Sequence, residues 1–181
     1  MYGVLLSRFT NETLIENRRW RETHNIPCIY SNSLAISENL PLIDYFVIEM
    51  NINTNKIAGI GLIENKLEKR GPKIYSNPYF NRYIYKGKYF IPIEQIKNVK
   101  ILEELEKLLF YGKGHLKRGG LTLFPPKLLK KEYFEWLKDL LKENVSIKQN
   151  DSIKQNDSIN QNDSIKENDN KNMDNKEVID N

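Results

Sequence analysis

Asp44-Tyr-Phe-Val-Ile-Glu-Met-Asn-Ile-Asn-Thr-Asn-Lys-Ile-Ala-Gly-Ile-Gly-Leu-Ile-Glu-Asn65 is the stretch that decides the fold. Two β-branched, aromatic-rich runs, Tyr45 to Ile52 and Lys56 to Ile63, flank the polar turn Asn53-Thr54-Asn55, and this is the sequence form of a β-hairpin. In the second run Gly59 and Gly61 alternate with Ile60 and Leu62. One face of that strand therefore carries almost no side chain, and backbone or ligand can approach it closely.

Upstream, Tyr2 to Phe9 is apolar and long enough for a strand, and it stops at the cap residues Thr10-Asn11. A helix follows, with Glu12 near its positive end, Leu14, Ile15 and Trp20 toward the core, Arg18, Arg19 and Arg21 in its last turns, and Pro27 beyond it. A short strand fits Cys28 to Tyr30, and Ser31 to Pro41 reads as loop or one short helix. Downstream, Asn65 to Pro78 is a charged loop. Arg82 to Ile93 reads as a strand, or a bent strand pair around Gly87, with Pro92 at a sheet edge or strand end. From Ile93 the period lengthens, and Ile96, Val99, Leu102, Leu105, Leu108 and Leu109 form the stripe of an amphipathic helix stopped at Gly112. Pro125-Pro126 opens a last helix with Leu129, Tyr133, Trp136, Leu137, Leu140 and Leu141 on one face. This order predicts an α+β domain with a small, strongly curved, mostly antiparallel sheet and flanking helices over residues 1–145.

From Ser146 the hexapeptide Ser-Ile-Lys-Gln-Asn-Asp repeats with variations into an Asn/Asp/Lys-rich end. One Ile per six residues cannot offset the ordering entropy, so residues 146–181 are expected to be a disordered tail. The two parts differ in charge. Residues 1–145 hold 23 Lys and Arg against 16 Asp and Glu, a net of +7, whereas the tail is net −3. An excess of that size on a small domain attracts polyanions, nucleic acid first. The single cysteine, Cys28, excludes an internal disulfide framework and a Cys-based zinc site, and suits a reducing compartment. No run of 18 apolar residues or signal-like N-terminus occurs, which predicts an intracellular, cytoplasmic protein with no membrane partner.

Two constellations suggest chemistry. Tyr111-Gly-Lys-Gly-His-Leu-Lys-Arg-Gly-Gly gathers Lys113, His115, Lys117 and Arg118 among four glycines, a plausible anion cradle that matches neither the P-loop nor the dinucleotide fingerprint. The competing reading is a glycine-rich turn with solvated lysines. Asn17-Arg-Arg-Trp-Arg offers arginine forks and an indole face in Arg18, Arg19, Trp20 and Arg21, unless Trp20 packs into the core. The two histidines, His24 and His115, make no metal pair, no catalytic set is recognisable, and no cofactor is implied. Glu103, Glu104 and Glu106 read as the solvated face of a helix, and the tyrosines between Tyr75 and Tyr89 as packed residues or a stacking surface.

The hairpin, with its Ile-x-Gly-x-Gly strand after a strand–helix unit carrying Arg-Trp, resembles the PUA-like superfamily, the curved barrels that include YTH, EVE and ASCH domains. The resemblance covers residues 2–95. It implies binding of RNA or DNA, often with a modified or flipped base in an aromatic pocket, for which Trp20, Tyr30 and the Tyr75–Tyr89 group are the available residues. The Asn/Ile/Lys bias with a repeat tail also resembles proteins of large DNA viruses, which would place the chain in a host cell or virion. The expected function is nucleic-acid binding, RNA or a modified base, through Arg18, Arg19, Arg21, Lys113, Lys117 and Arg118 on phosphates and Trp20 and His115 on a base or sugar. The alternatives are a structural or interaction module whose basic surface meets an acidic protein, such as a virion component, and an enzyme acting on nucleic acid or nucleotides through His115 and Lys113.

Overall fold

The computed structural model describes residues 2–36, 40–68, 71–112, 116 and 120–145. The repeat tail from Ser146, and Lys113, His115, Lys117 and Arg118, lie outside the described residues. The chain divides into two compact units, Met1–Leu137 and Lys138–Asn181.

In the first unit the order is β1 (Tyr2–Phe9), α1 (Asn11–His24), β2 (Cys28–Asn32), β3 (Asp44–Asn51), β4 (Lys56–Glu64), β5 (Tyr83–Pro92), α2 (Val99–Phe110) and β6 (Leu121–Leu123). Residues 131–137 begin a third helix, α3. The strands form one sheet ordered β2-β5-β4-β3-β1-β6, with β1 parallel to β3 and the other neighbours antiparallel. The sheet curls into a half-barrel, so that Gly120, beside the edge strand β6, packs against Asn32 at the end of the other edge strand, β2. In the second unit the described residues 138–145 are helical, with Lys142 Nζ 3.0 Å from Asp139 Oδ1 and the Asn144 amide donating to Leu140 O.

The hairpin forms where the alternation places it, and Asn55, at φ 55°, closes its turn in the left-handed region that asparagine tolerates. Every residue of β3 from Tyr45 onward is buried, because both faces of the strand are covered. The bare face of β4 is filled from within the chain. A Cβ on Gly61 would lie 2.1 Å from the Tyr30 hydroxyl and one on Gly59 2.5 Å from the Phe90 ring. The two glycines therefore make room for two aromatic side chains.

Helix α1 is capped by Thr10, whose Oγ1 accepts from the Thr13 N–H while Thr13 Oγ1 accepts from the Thr10 N–H. It ends at Asn25, in the left-handed region at φ 51°, whose N–H bonds Arg21 O and Glu22 O.

Several expectations need correction. Ile15 is 58 % exposed, and the inward face of α1 is Leu14, Asn17 and Arg21. Strand β5 is interior, so Pro92 marks its end and not a sheet edge. The first C-terminal helix starts at Val99 after a 3-10 turn at Ile93–Gln95, and Val99 itself is exposed. Residues 126–128 form a turn, so the last helix begins at 131 and not at the two prolines. Strand β6 was not expected; at three residues it has no periodicity of its own and exists through its pairing with β1. Glu106 is not on a solvated face. It is buried, accepts from the Ile57 N–H at 3.0 Å and lies 2.7 Å from Lys56 Nζ, which ties α2 to the start of β4.

Candidate nucleic-acid interface

Two polar regions meet near α1. The first is sealed. Arg21 enters the core and places Nη1 3.2 Å from Glu49 Oε1, while the Tyr30 hydroxyl donates to the same oxygen at 2.8 Å. The Arg21 guanidinium lies 3.7 Å over the Phe90 ring. Asn17 extends the network by donating to Ile29 O at 2.8 Å and to the Tyr75 hydroxyl at 3.1 Å. Burial raises the Glu49 carboxyl above its ordinary range, against the pull of Arg21 and the Tyr30 hydrogen bond, and Glu49 Oε2 has no partner among the described residues. Burial also raises the Tyr30 and Tyr75 hydroxyls and pushes Cys28 up to about 12. The Cys28 thiol donates to Tyr89 O at 3.1 Å, so it is an inert core group and not a nucleophile.

The second region is open. A cleft of about 290 Å³ lies where the half-barrel's edges approach. Ser7, Arg8 and Phe9 of β1 form one wall, with Thr10 and Thr13 at the start of α1. Ser31 and Asn32 of β2, Tyr75, Phe80 and Gly120 form the other. Tyr75 belongs to both regions, with its hydroxyl in the buried network while the residue also lines the cleft.

The aromatic rim of the cleft is held by asparagines. Asn81 Oδ1 accepts from the Ile74 and Tyr75 N–H groups at 2.8 and 2.9 Å, and its amide donates back to Tyr75 O at 2.7 Å. Asn77 caps the 3-10 turn Pro78–Asn81 through the Tyr79 N–H, and the Ser31 hydroxyl donates to Phe80 O. This frame leaves Tyr79 51 % and Phe80 37 % exposed, with the Arg82 guanidinium 4.3 Å over the Tyr79 ring. Large aromatics held at the surface by a hydrogen-bonded turn depart from the usual burial of such side chains.

Of the predicted residues, Arg21 is removed from any phosphate-contacting surface by its burial against Glu49. Arg18 is partly buried and donates to Ala58 O at 3.2 Å. Arg19 is exposed. Trp20 is half-buried, packs at the core's margin and stacks on His24 at 4.0 Å between ring centroids. Seven residues separate Trp20 from Thr13, about 10 Å along the helix from the cleft. Tyr30 is fully buried and does not line the cleft, whereas Tyr75 does.

Sequence reasoning missed Arg8, Asn32 and Phe80. Their signal is faint: an arginine breaking the apolar run of β1, and Asn-Pro-Tyr-Phe-Asn as an asparagine-bracketed aromatic pair. A broader groove of about 700 Å³ is lined by Lys107, Leu108, Tyr111, Lys127, Leu128 and Lys130, with Glu104 and Tyr133. Tyr111 and Gly120, the two ends of the glycine-rich stretch, thus border the groove and the cleft respectively. Among the described residues no group of three His, Cys, Asp or Glu side chains is placed to hold a metal, and no helix is long and apolar enough to cross a membrane. Comparison of the chain with protein-family models, with curated proteins and with solved structures gives no match.

Proposed function

We propose that the chain is a nucleic-acid-binding protein that takes a single strand across the Tyr79–Phe80 rim and the cleft beside it. The observation that carries this reading is the pairing of two exposed aromatic rings on a hydrogen-bonded turn with a nucleoside-sized cleft in which Arg8 is the charged residue among the described lining residues. Rings of this kind stack on bases without regard to sequence, and a guanidinium beside them meets the phosphate that joins those bases. Support comes from the net +7 of residues 1–145 and from the four residues Lys113, His115, Lys117 and Arg118 carried between Gly112 and Gly120. The resemblance of the hairpin to PUA-like domains supports the same class of ligand, RNA first. In this account Arg8, Lys117, Arg118 and Arg19 contact phosphates, and Phe80 and Tyr79 contact bases.

The test is fluorescence anisotropy of labelled short RNA and DNA, single- and double-stranded, titrated with the full chain at two salt concentrations. Saturable, salt-sensitive binding that prefers single strands, and that weakens in Phe80→Ala and Arg8→Gln, is the expected result. Replacing Lys117 and Arg118 together should flatten the salt slope by roughly two. Absence of binding at low salt overturns the reading and shifts attention to an acidic protein at the Lys107–Lys127 groove.

A further inference from the structure

Among the described residues, the groove of about 700 Å³ is lined by helix and turn and by no strand. Lys107 and Leu108 of α2 and Tyr111 past its end contribute to it, together with Lys127, Leu128 and Lys130 ahead of α3. Part of its apolar lining is open to solvent. Tyr111 is 58 % and Leu128 37 % exposed, whereas α2 buries Leu105 and Leu109 on its inward side. The charges in the groove fall into two groups. Glu104 Oε2 lies 3.4 Å from Lys130 Nζ and accepts from the Tyr133 hydroxyl at 3.3 Å, and Lys130 also meets Glu132 Oε1 at 3.2 Å. Lys107 and Lys127 are exposed and, among the described residues, form no ion pair. The groove thus offers apolar surface beside two uncompensated ammonium groups, and its own carboxylate is already engaged.

We propose that this groove docks an acidic amphipathic helix of a partner protein, with its apolar side chains on Leu108, Tyr111 and Leu128 and its carboxylates on Lys107 and Lys127. Opposite charge beside apolar surface steers such a helix and fixes its register, while the apolar contacts supply most of the affinity. No described lining residue belongs to a strand, so the occupant does not extend the sheet, and side chains at helical spacing are the mode of contact that fits. Nucleic acid fits less well. The two uncompensated cations are lysines, without the fork that arginine offers a phosphate, and the aliphatic Leu108 and Leu128 give a base no ring to stack on. A basic amphipathic helix would set ammonium against ammonium. The proposal is independent of the nucleic-acid reading, which uses the cleft and the Tyr79–Phe80 rim.

The experiment is amide chemical-shift mapping of the isotope-labelled full chain, titrated with a synthetic helix of about fourteen residues that carries leucines at i, i+3, i+4 and i+7 and glutamates between them. The amides of residues 104–111 and 127–133 should shift saturably. A control helix with lysine in place of each glutamate should bind more weakly by roughly tenfold or more. Lys107→Glu combined with Lys127→Glu should reverse that preference, and Leu128→Ser should weaken both helices by roughly tenfold. All three side chains are exposed, so folding should be spared, and the spectrum of each unliganded variant checks it. If a variant fails to fold, the wild-type ratio of the two helices decides. Equal binding of the two helices, shifts confined to other residues, or no shift with the acidic helix overturns the proposal. A uridine octamer that shifts the groove amides at lower concentration than the acidic helix also overturns it, and assigns the groove to nucleic acid.

Discussion

The interior network around Glu49 and the cleft around Asn32 hold similar polar side chains, yet they differ in what remains unsatisfied. Inside, Arg21, Asn17, Tyr30, Tyr75 and Glu49 bond one another and the backbone, and among the described residues Glu49 Oε2 is the network's orphan atom. In the cleft, the Asn32 NH2, the Ser7 hydroxyl and the Arg8 guanidinium have no protein partner among the described residues, and none of them is sealed from solvent. Polar groups that satisfy one another fix a packing arrangement, whereas polar groups open to solvent in a cleft are free to meet a ligand. The first region should therefore respond to mutation in stability, and the second in affinity.

The largest effect expected from this division is on Arg21. Arg21→Ala leaves the Glu49 carboxylate buried without its counter-charge and should cost about 3–5 kcal/mol, read from denaturant unfolding. A loss under 1 kcal/mol would show that water reaches the network and that the two regions are not distinct. Gly61→Ala drives a methyl group into the Tyr30 hydroxyl, and about 1–3 kcal/mol of destabilisation is expected from the same measurement. Phe80→Ala should do the reverse, lowering single-strand affinity by about 1–3 kcal/mol with unfolding shifted by less than 1 kcal/mol, since the ring is already more than a third exposed. Equal loss of both would make Phe80 a packing residue.

The pH dependence sharpens the contrast further. Glu49 holds its proton more tightly in the folded chain than in the unfolded one, where a glutamate carboxyl titrates at about 4.3. Its contribution is therefore complete below that value and is lost as pH rises through the elevated folded value. Glu49→Gln, which keeps an acceptor for Tyr30 and Arg21, should flatten that decline. The smallest effect expected is for Arg8→Gln, which should leave unfolding unchanged and reduce the salt slope of binding by about one.

The hairpin and the first strand–helix unit were readable because alternation, caps and turn residues are local signals, and Thr10, Asn25 and Asn55 act where such residues act elsewhere. The interior network left a trace that composition hides. Leu14, Asn17 and Arg21 fall at core spacing on α1, and Glu49 interrupts the apolar run Val47-Ile48-Glu49-Met50. Read together they announce an inward arginine with a buried acid, but charge makes Arg21 look like one more surface residue beside Arg18 and Arg19. The cleft left almost none. Its walls come from residues 7–13, 31–32, 75–80 and 120, which only the curl of the sheet brings together. Glu106 was misread for a related reason: helical spacing predicts a face, but not which neighbouring backbone N–H will need that face's carboxylate.

The most direct test of the central claim is photo-crosslinking of the full chain to a 4-thiouridine octamer, with the modified peptides mapped by mass spectrometry. The account predicts crosslinks on the peptides carrying Arg8, Asn32 and Tyr79–Phe80, lost in the presence of excess unlabelled uridine octamer. Crosslinks confined to the Trp20–His24 end of α1 or to the Lys107–Lys127 groove, or none at all, would contradict it.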